Sequence, residues 1–590
     1  MERWSLKALY TGYEDENYKR DIEKLENIVD ALKQMAQDKW SVADDTIERK
    51  GEVLKEALSF LEQYNVLYDK TGNFASLQQS ADTMDVETVK QLDKIKKIES
   101  EMSKPIAVFH KYVKGIVNLE ELIEKNPELK VYEFFLKDTK KQAQYTLSEE
   151  AEDIISKFHL SGGSGWENMR DYLTSTMEID YKGEKVTLSD IRNMAYSPEK
   201  EVRKAAYEAE LNSYAKVKDA VSYSLNNIKL QVMTECELRG YASPLEMTLE
   251  ASHMKRETLD AMLQEMKKFL PKFRQYLKRK GELLGYQNGL PFYELFAPLG
   301  ESHRKFTVEE TKEYLVGIFK GFSEDLADMI ERAFTEEWID FFPRKGKVGG
   351  AFCANLPFIG QSRILTNFDG SLGDVVTLAH ELGHAYHGLQ IESHKPLNWS
   401  YSMPVAETAS TFNETVVMDT LIKEAEGEEK LVLIENQLQD ITQIMLDIYS
   451  RYLFESAVFE NRKEGFLFSG QLEQMMLDAQ KEAYGDGLDQ NYLHPYMWIC
   501  KPHYYSAELS FYNFPYAFGG LFARGLYARY QEEGKGFIDK YRKMLYGTTV
   551  NSVEDVAKIA GIDLTKADFW RESLQSFSDL VDEFLRLSEE

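Results

Sequence analysis

Residues 375–390 read VVTLAHELGHAYHGLQ, and this run decides the architecture. Its apolar residues recur at helical spacing, which predicts a buried helix, with Asp374 after Gly373 as its N-cap. His380 and His384 stand four apart, so both imidazoles leave one helix face about a turn from each other. That spacing grips a single metal ion, and Glu381 lies beside it to take a proton from water. With 10 His in 590 residues, HExxH arises by chance only about 0.02 times in such a chain. Two packed histidines beside a capping glutamate are therefore the weaker reading.

Two imidazoles fall one protein ligand short of a catalytic tetrahedral centre. Downstream, PVAETASTFNE (404–414) opens a second helix in which Glu407 and Glu414 are two turns apart and share a face. Two carboxylates facing an apolar interior need a positive partner. Glu407, 23 residues past His384, is the expected third ligand, and Glu414 is expected to orient a ligand imidazole. His387, a turn beyond His384, is expected to bond a substrate or a carbonyl, and His394 is a weaker alternative ligand.

Upstream, KVGGAFCANLP (347–357) and SRILTNFDG (362–370) combine glycines, short apolar runs and turn signals, which predicts two strands of a small sheet just before the motif helix. An edge there, beginning at Gly350, Ala351 and Phe352, would hold a substrate by main-chain pairing; a hairpin that only supports the helix is the plainer alternative. Far downstream, HYYSAELSFYNFPYAFGGLFARGLYARY (503–530) is unusually rich in tyrosine. His503, Tyr512 and Tyr516 are candidates to hydrogen-bond a developing oxyanion, whereas Tyr527 and Tyr530 read as core.

The rest of the chain is a helical frame. Residues from about 15 to 160 are rich in Glu, Lys, Leu and Gln, and stretches such as DIEKLENIVDALKQMAQ space their apolar residues three and four apart. Gly162-Gly163-Ser164-Gly165 lacks the Lys-Ser/Thr of a phosphate loop and reads as a turn. TMEIDYKGEKVTL predicts a hairpin around Lys182-Gly183, and Ser197-Pro198 predicts a helix start with Ser as N-cap and Pro at N1. A boundary near residue 200 divides an N-terminal helical domain, 1–200, from a catalytic domain, 201–590. His253 and His303 have no metal-type partner nearby in sequence.

Composition narrows the function further. A net charge of −28 disfavours nucleic acid. Cys236, Cys353 and Cys500 form neither a disulfide framework nor a CxxC pair. With no apolar leader and no membrane-length run, a cytoplasmic protein is expected, without a membrane partner.

HELGHAYH, PVAETASTFNE, GGAFC, HYYSAELSFYNFPYAFG and the segment STMEIDYKGEKVTLSDIRNMAYSPEKEVRKAAYEA together resemble the thimet oligopeptidase family of zinc metallopeptidases, in its oligoendopeptidase F branch, from roughly 115 to 585. The resemblance implies a mainly α, zincin-like ellipsoid split by a deep channel, with a small sheet beside the motif helix. It implies one Zn2+ per chain and cleavage of short unstructured peptides. His380, His384 and Glu407 carry over as ligands, Glu381 as general base, and His503 and Tyr512 as transition-state contacts. Where the thimet branch has a second tyrosine, this chain has Pro515, so Tyr516 or Tyr505 is expected to take that role. A carboxy-end exopeptidase is the nearest alternative, although the sequence offers no evident cation for a terminal carboxylate. A non-catalytic peptide-binding module would have no use for Glu381.

Overall fold

The apolar spacing of the first hundred residues folds into three long helices, Glu16–Asp38, Ile47–Ala81 and Val86–Gly115. Asp15, Thr46 and Asp85 cap them by accepting backbone N–H bonds from Asn17, Arg49 and Glu87. The computed structural model describes residues 2–40, 46–300 and 304–589, so His303 lies outside the described residues. It is 73% helical, with only small sheets, as the sequence predicts.

One hydrophobic core is built by residues from Trp4 to Leu136, joined by Leu356 and Leu365. A second, larger core runs from Tyr214 to Phe584 and contains the motif helix. The sheet lies between them. Its strands β3 (Ile339–Asp340), β4 (Phe352–Leu356) and β5 (Gln361–Leu365) are ordered β3-β5-β4, with β4 antiparallel and β3 parallel to β5. Side chains alternate across a sheet. Ile364 therefore enters the larger core while Leu365 enters the N-terminal one. The sequence predicts β4 and β5; β3, two residues long, is too short to show alternation. An upstream hairpin pairs β1 (Ile179–Tyr181) with β2 (Glu184–Val186) around Lys182 and Gly183, both at positive φ, as a two-residue turn requires.

Three local expectations shift. The motif helix spans Leu372–Ile391, and its N-cap is Ser371 rather than Asp374. Asp374 is the N3 residue of a capping box, its carboxylate accepting from the Ser371 N–H while the Ser371 hydroxyl accepts from its own. The predicted turn narrows to Gly162 alone, between two helices, Glu149–Ser161 and Gly163–Ser175. A Cβ on Gly163 would stand 2.4 Å from that of Ala507, so the glycine permits close packing. Downstream, the Ser197 hydroxyl accepts from the Glu199 N–H, forming a turn that delays the helix Lys200–Arg239 by a few residues. His253 stands at positive φ, 3.4 Å from Asp138.

Candidate metal centre and aromatic site

Two glycines seat the motif helix. At Gly383 a Cβ would approach the Ala409 carbonyl to 2.4 Å, so only glycine lets the helix Thr408–Glu424 cross this closely. At Gly388 it would meet the Asn355 side chain of β4 at the same distance. The Asn413 amide donates to the Ala379 carbonyl at 3.2 Å and fixes the register of the two helices.

This packing brings His380, His384 and Glu407 together. Nε2 of each histidine lies 3.3 Å from Glu407 Oε2, and one donor atom from each residue falls within 4.8 Å of the others. Among the described residues, this is the one group of three or more His, Cys, Asp or Glu with such geometry. His380 Nδ1 is 2.8 Å from Glu414 Oε1, which leaves its Nε2 to face the cluster. The Ser410 hydroxyl donates to Glu407 Oε2 at 2.7 Å.

The electrostatics call for a cation. Burial works against a charged His380, yet the Glu407 and Glu414 carboxylates override it and hold the imidazole at about 10. Burial likewise works against a charged Glu407, and hydrogen bonds from His380 and His384 pull its carboxyl well below the usual range. Glu381 is buried and pushed up, first by desolvation and further by Glu407 and Glu414, against the opposing His380 and His384. Three carboxylates thus face two imidazoles. Once a metal displaces the His380 proton, two imidazole nitrogens and a carboxylate oxygen form a donor set that suits Zn2+.

The second group is aromatic. The His503 ring lies 5.1 Å from Tyr512 and 6.0 Å from Tyr516, with Tyr512 and Tyr516 at 5.2 Å. Tyr516 stands in the first turn of the helix Phe514–Glu533, which passes beside Glu407. One turn on, a Cβ at Gly519 would stand 3.0 Å from the Glu407 Cβ. His503 is lowered to about 4, by burial and then by the Arg451, Lys501 and Arg170 charges, so its ring is neutral near pH 7. Its buried Nδ1 has no hydrogen-bond partner among the described residues.

Some expected contacts are absent. Tyr505 is fully buried, and its hydroxyl donates to the Trp498 carbonyl at 2.9 Å, so it does not face the site. His387 is also fully buried. Its Nε2 bonds Thr548 Oγ1 at 2.8 Å and its ring stacks on Tyr401 at 4.2 Å, so it holds a tyrosine rather than a substrate. His394 contacts the Tyr546 carbonyl at 2.7 Å, away from the cluster. Gly350 takes positive φ and its carbonyl accepts from Asn367, just ahead of β4, where Phe352 starts the edge strand. Two neighbours escaped sequence reasoning. Cys353 on β4 has its thiol pushed up by burial and by Glu381, and Tyr401 has its hydroxyl pushed up by burial and then by Cys353 and Glu407. Neither belongs to a spaced motif, although Cys353 falls within the GGAFC segment.

Known proteins match this chain along most of its length. The profile of Peptidase family M3 matches residues 193–576, and that of Oligopeptidase F matches residues 117–179. Oligopeptidase PepF of Bacillus subtilis is 24% identical over 99% of this chain and 87% of its own length. Group B oligopeptidase PepB of Streptococcus agalactiae is 26% identical over 78% of this chain and 77% of its own. In fold, the chain is similar to the crystal structure of oligoendopeptidase-F from Enterococcus faecium, with TM-score 0.71, 17% identity, and 97% and 99% of the two chains covered.

Proposed function

Because the chain belongs to Peptidase family M3, we propose that this peptidase is a zinc-dependent endopeptidase acting on short unstructured peptides. The observation that carries the reading is the convergence of His380 Nε2, His384 Nε2 and Glu407 Oε2 with Glu381 buried beside them. His380, His384 and Glu407 would hold the ion, and Glu414 fixes the His380 ring. A zinc ion held there supplies Lewis acidity to the scissile carbonyl and to a water.

The chain's own groups do the rest. Glu381, raised by its buried setting, accepts the proton of the attacking water and passes it to the leaving amine. The Tyr512 hydroxyl and the neutral His503 ring donate to the carbonyl oxygen as it gains charge, with Tyr516 at their side. The open edge of β4, entered from Gly350 and Ala351, pairs with the substrate backbone and so tolerates varied side chains. Among the described residues no helix is long and apolar enough to cross a membrane. All three cysteines are unpaired, which suits a cytoplasmic enzyme.

Metal content and peptide hydrolysis, measured on one preparation before and after chelation, test this reading. About one zinc per chain is expected, with activity lost on chelation and regained with zinc. Bound zinc without hydrolysis of any short peptide would overturn it.

A further inference from the structure

A chamber of about 350 Å³ is walled in part by charged side chains. Arg192, Glu210, Asp440, Asp447, Tyr484 and Lys501 are among its walls. One wall leads toward the metal cluster and another toward the aromatic group. Asp440 also lines a neighbouring cavity of about 490 Å³ that reaches Glu414, the partner of His380. On the other side, Lys501 precedes His503 by two residues, and its charge is felt by the His503 ring.

Most charges of the chamber are engaged, and Arg203 pairs with the buried Glu294. Arg192 is 3.2 Å from Glu210. Asp447 is engaged by Arg451. Lys501 Nζ is left with no hydrogen bond or ion pair among the described residues. Its ammonium is lowered by burial, only partly opposed by Asp447. Two further donors nearby, the Tyr484 hydroxyl and Arg451 Nε, are buried without a partner among the described residues. The remaining acid, Asp440, is pushed up to about 7 by burial and by Glu414 and Glu435, so it carries only part of a charge at neutral pH. A desolvated ammonium beside unused donors is costly unless an anion meets it.

We propose that this chamber is a subsite for a peptide carboxylate, received by Lys501 with the Tyr484 hydroxyl at its side. The inference rests on the peptidase reading above and gives it a substrate class: peptides whose carboxylate sits a fixed, short distance from the scissile bond. Two carboxylates have this chemistry, the chain's C-terminus and an Asp or Glu side chain. The cation that the sequence alone does not reveal is Lys501. It belongs to the irregular stretch between Cys500 and the short 3₁₀ turn Pro502–Tyr505, where no periodicity announces which way a side chain faces.

Three peptides of one sequence test it: a free acid, a C-terminal amide, and an amide ending in Glu. With the zinc-loaded full chain, KM for the acid should lie roughly tenfold below that for the amide at similar kcat. If the Glu-amide recovers the low KM, the subsite reads side chains; if it does not, the subsite reads the terminus. Lys501→Met should erase the preference, and Lys501→Arg should keep it. Equal KM for all three peptides in the wild-type chain would overturn the proposal without any variant, as would a preference that survives Lys501→Met. Failure to cleave any of the three would instead overturn the peptidase reading beneath it.

Discussion

The motif helix and the segment 499–513 supply the two halves of the proposed site, and they are held in opposite ways. The helix is positioned by its own ladder, a capping box and glycine contacts to neighbours close in sequence. The segment has little regular structure and is clamped by distant polar groups. The Arg170 guanidinium donates to the Ile499 and Cys500 carbonyls at 2.7 Å, and the Thr248 hydroxyl donates to the Ser510 carbonyl at 2.9 Å. The Asn513 amide donates to Glu455 at 2.9 Å, and Glu455 is paired in turn with the buried Lys229 at 2.7 Å. Between these clamps Phe511 is held at φ 54°, a conformation that such a residue adopts only under constraint. Packing fixes the proposed metal ligands; buried polar bonds fix the groups proposed to meet the transition state.

That contrast can be broken at its strongest point first. Glu381→Gln removes the proposed base but leaves the three donor residues in place, so kcat should fall ~10³-fold or more with zinc content unchanged. Full activity with bound zinc would show that proton transfer does not run through this carboxylate. Lys229→Met attacks the other half. It leaves Glu455 buried without its cation, which should cost about 3–5 kcal/mol in a denaturant titration. It should also lower kcat in the folded fraction while zinc affinity holds; loss of zinc affinity would mean that the two halves are not held independently. Tyr512→Phe is gentler, removing one hydroxyl from a standing frame, and should lower kcat ~10²-fold with little change in KM.

The difference between the halves also explains what could be read from the chain. His380, Glu381, His384, Glu407 and Glu414 follow helical spacing, and the periodic code that predicts the helices also predicts which face these residues share. The glycines at 383 and 388 are visible as letters, but the carbonyl and the amide they make room for are not. For the segment 499–513 the sequence shows tyrosine density without direction. Tyr505 and Tyr516 look equivalent as candidates, yet one is buried against the Trp498 carbonyl while the other packs on Tyr512 and His503. The deciding partners, Arg170, Lys229 and Thr248, lie hundreds of residues away, and no local pattern links them. His387 misleads for the opposite reason. It obeys the helical spacing of the proposed metal ligands, but tertiary packing turns it onto Tyr401.

Acid should expose that buried histidine. The His387 imidazole is lowered to about 3, first by desolvation and then by His384. Between its ordinary value near 6.5 and pH 3, the unfolded chain binds a proton that the folded chain does not. Stability is therefore complete above pH 6.5 and falls as pH drops through that window, by ~1.4 kcal/mol per pH unit from this one group. Denaturant midpoints for the wild-type chain and His387→Gln should converge as pH falls from 7 to 4. Parallel curves would mean that the ring finds a partner for its proton in the folded state.

Tyr505→Phe should do least, and it separates the two tyrosines most cleanly. The hydroxyl makes one buried bond, so its loss leaves the Trp498 carbonyl unpaired and should cost about 1–2 kcal/mol of stability. The ring keeps its place, and the Arg170 guanidinium, 5.2 Å from the ring centroid, keeps its hold on the Ile499 and Cys500 carbonyls. Because the missing hydroxyl faces the protein interior, kcat and KM of the folded variant should match the wild type within about twofold. A fall in kcat like that of Tyr512→Phe, at unchanged metal content, would show that Tyr505 turns toward the substrate during turnover. The segment would then be a moving part of the site instead of a fixed wall.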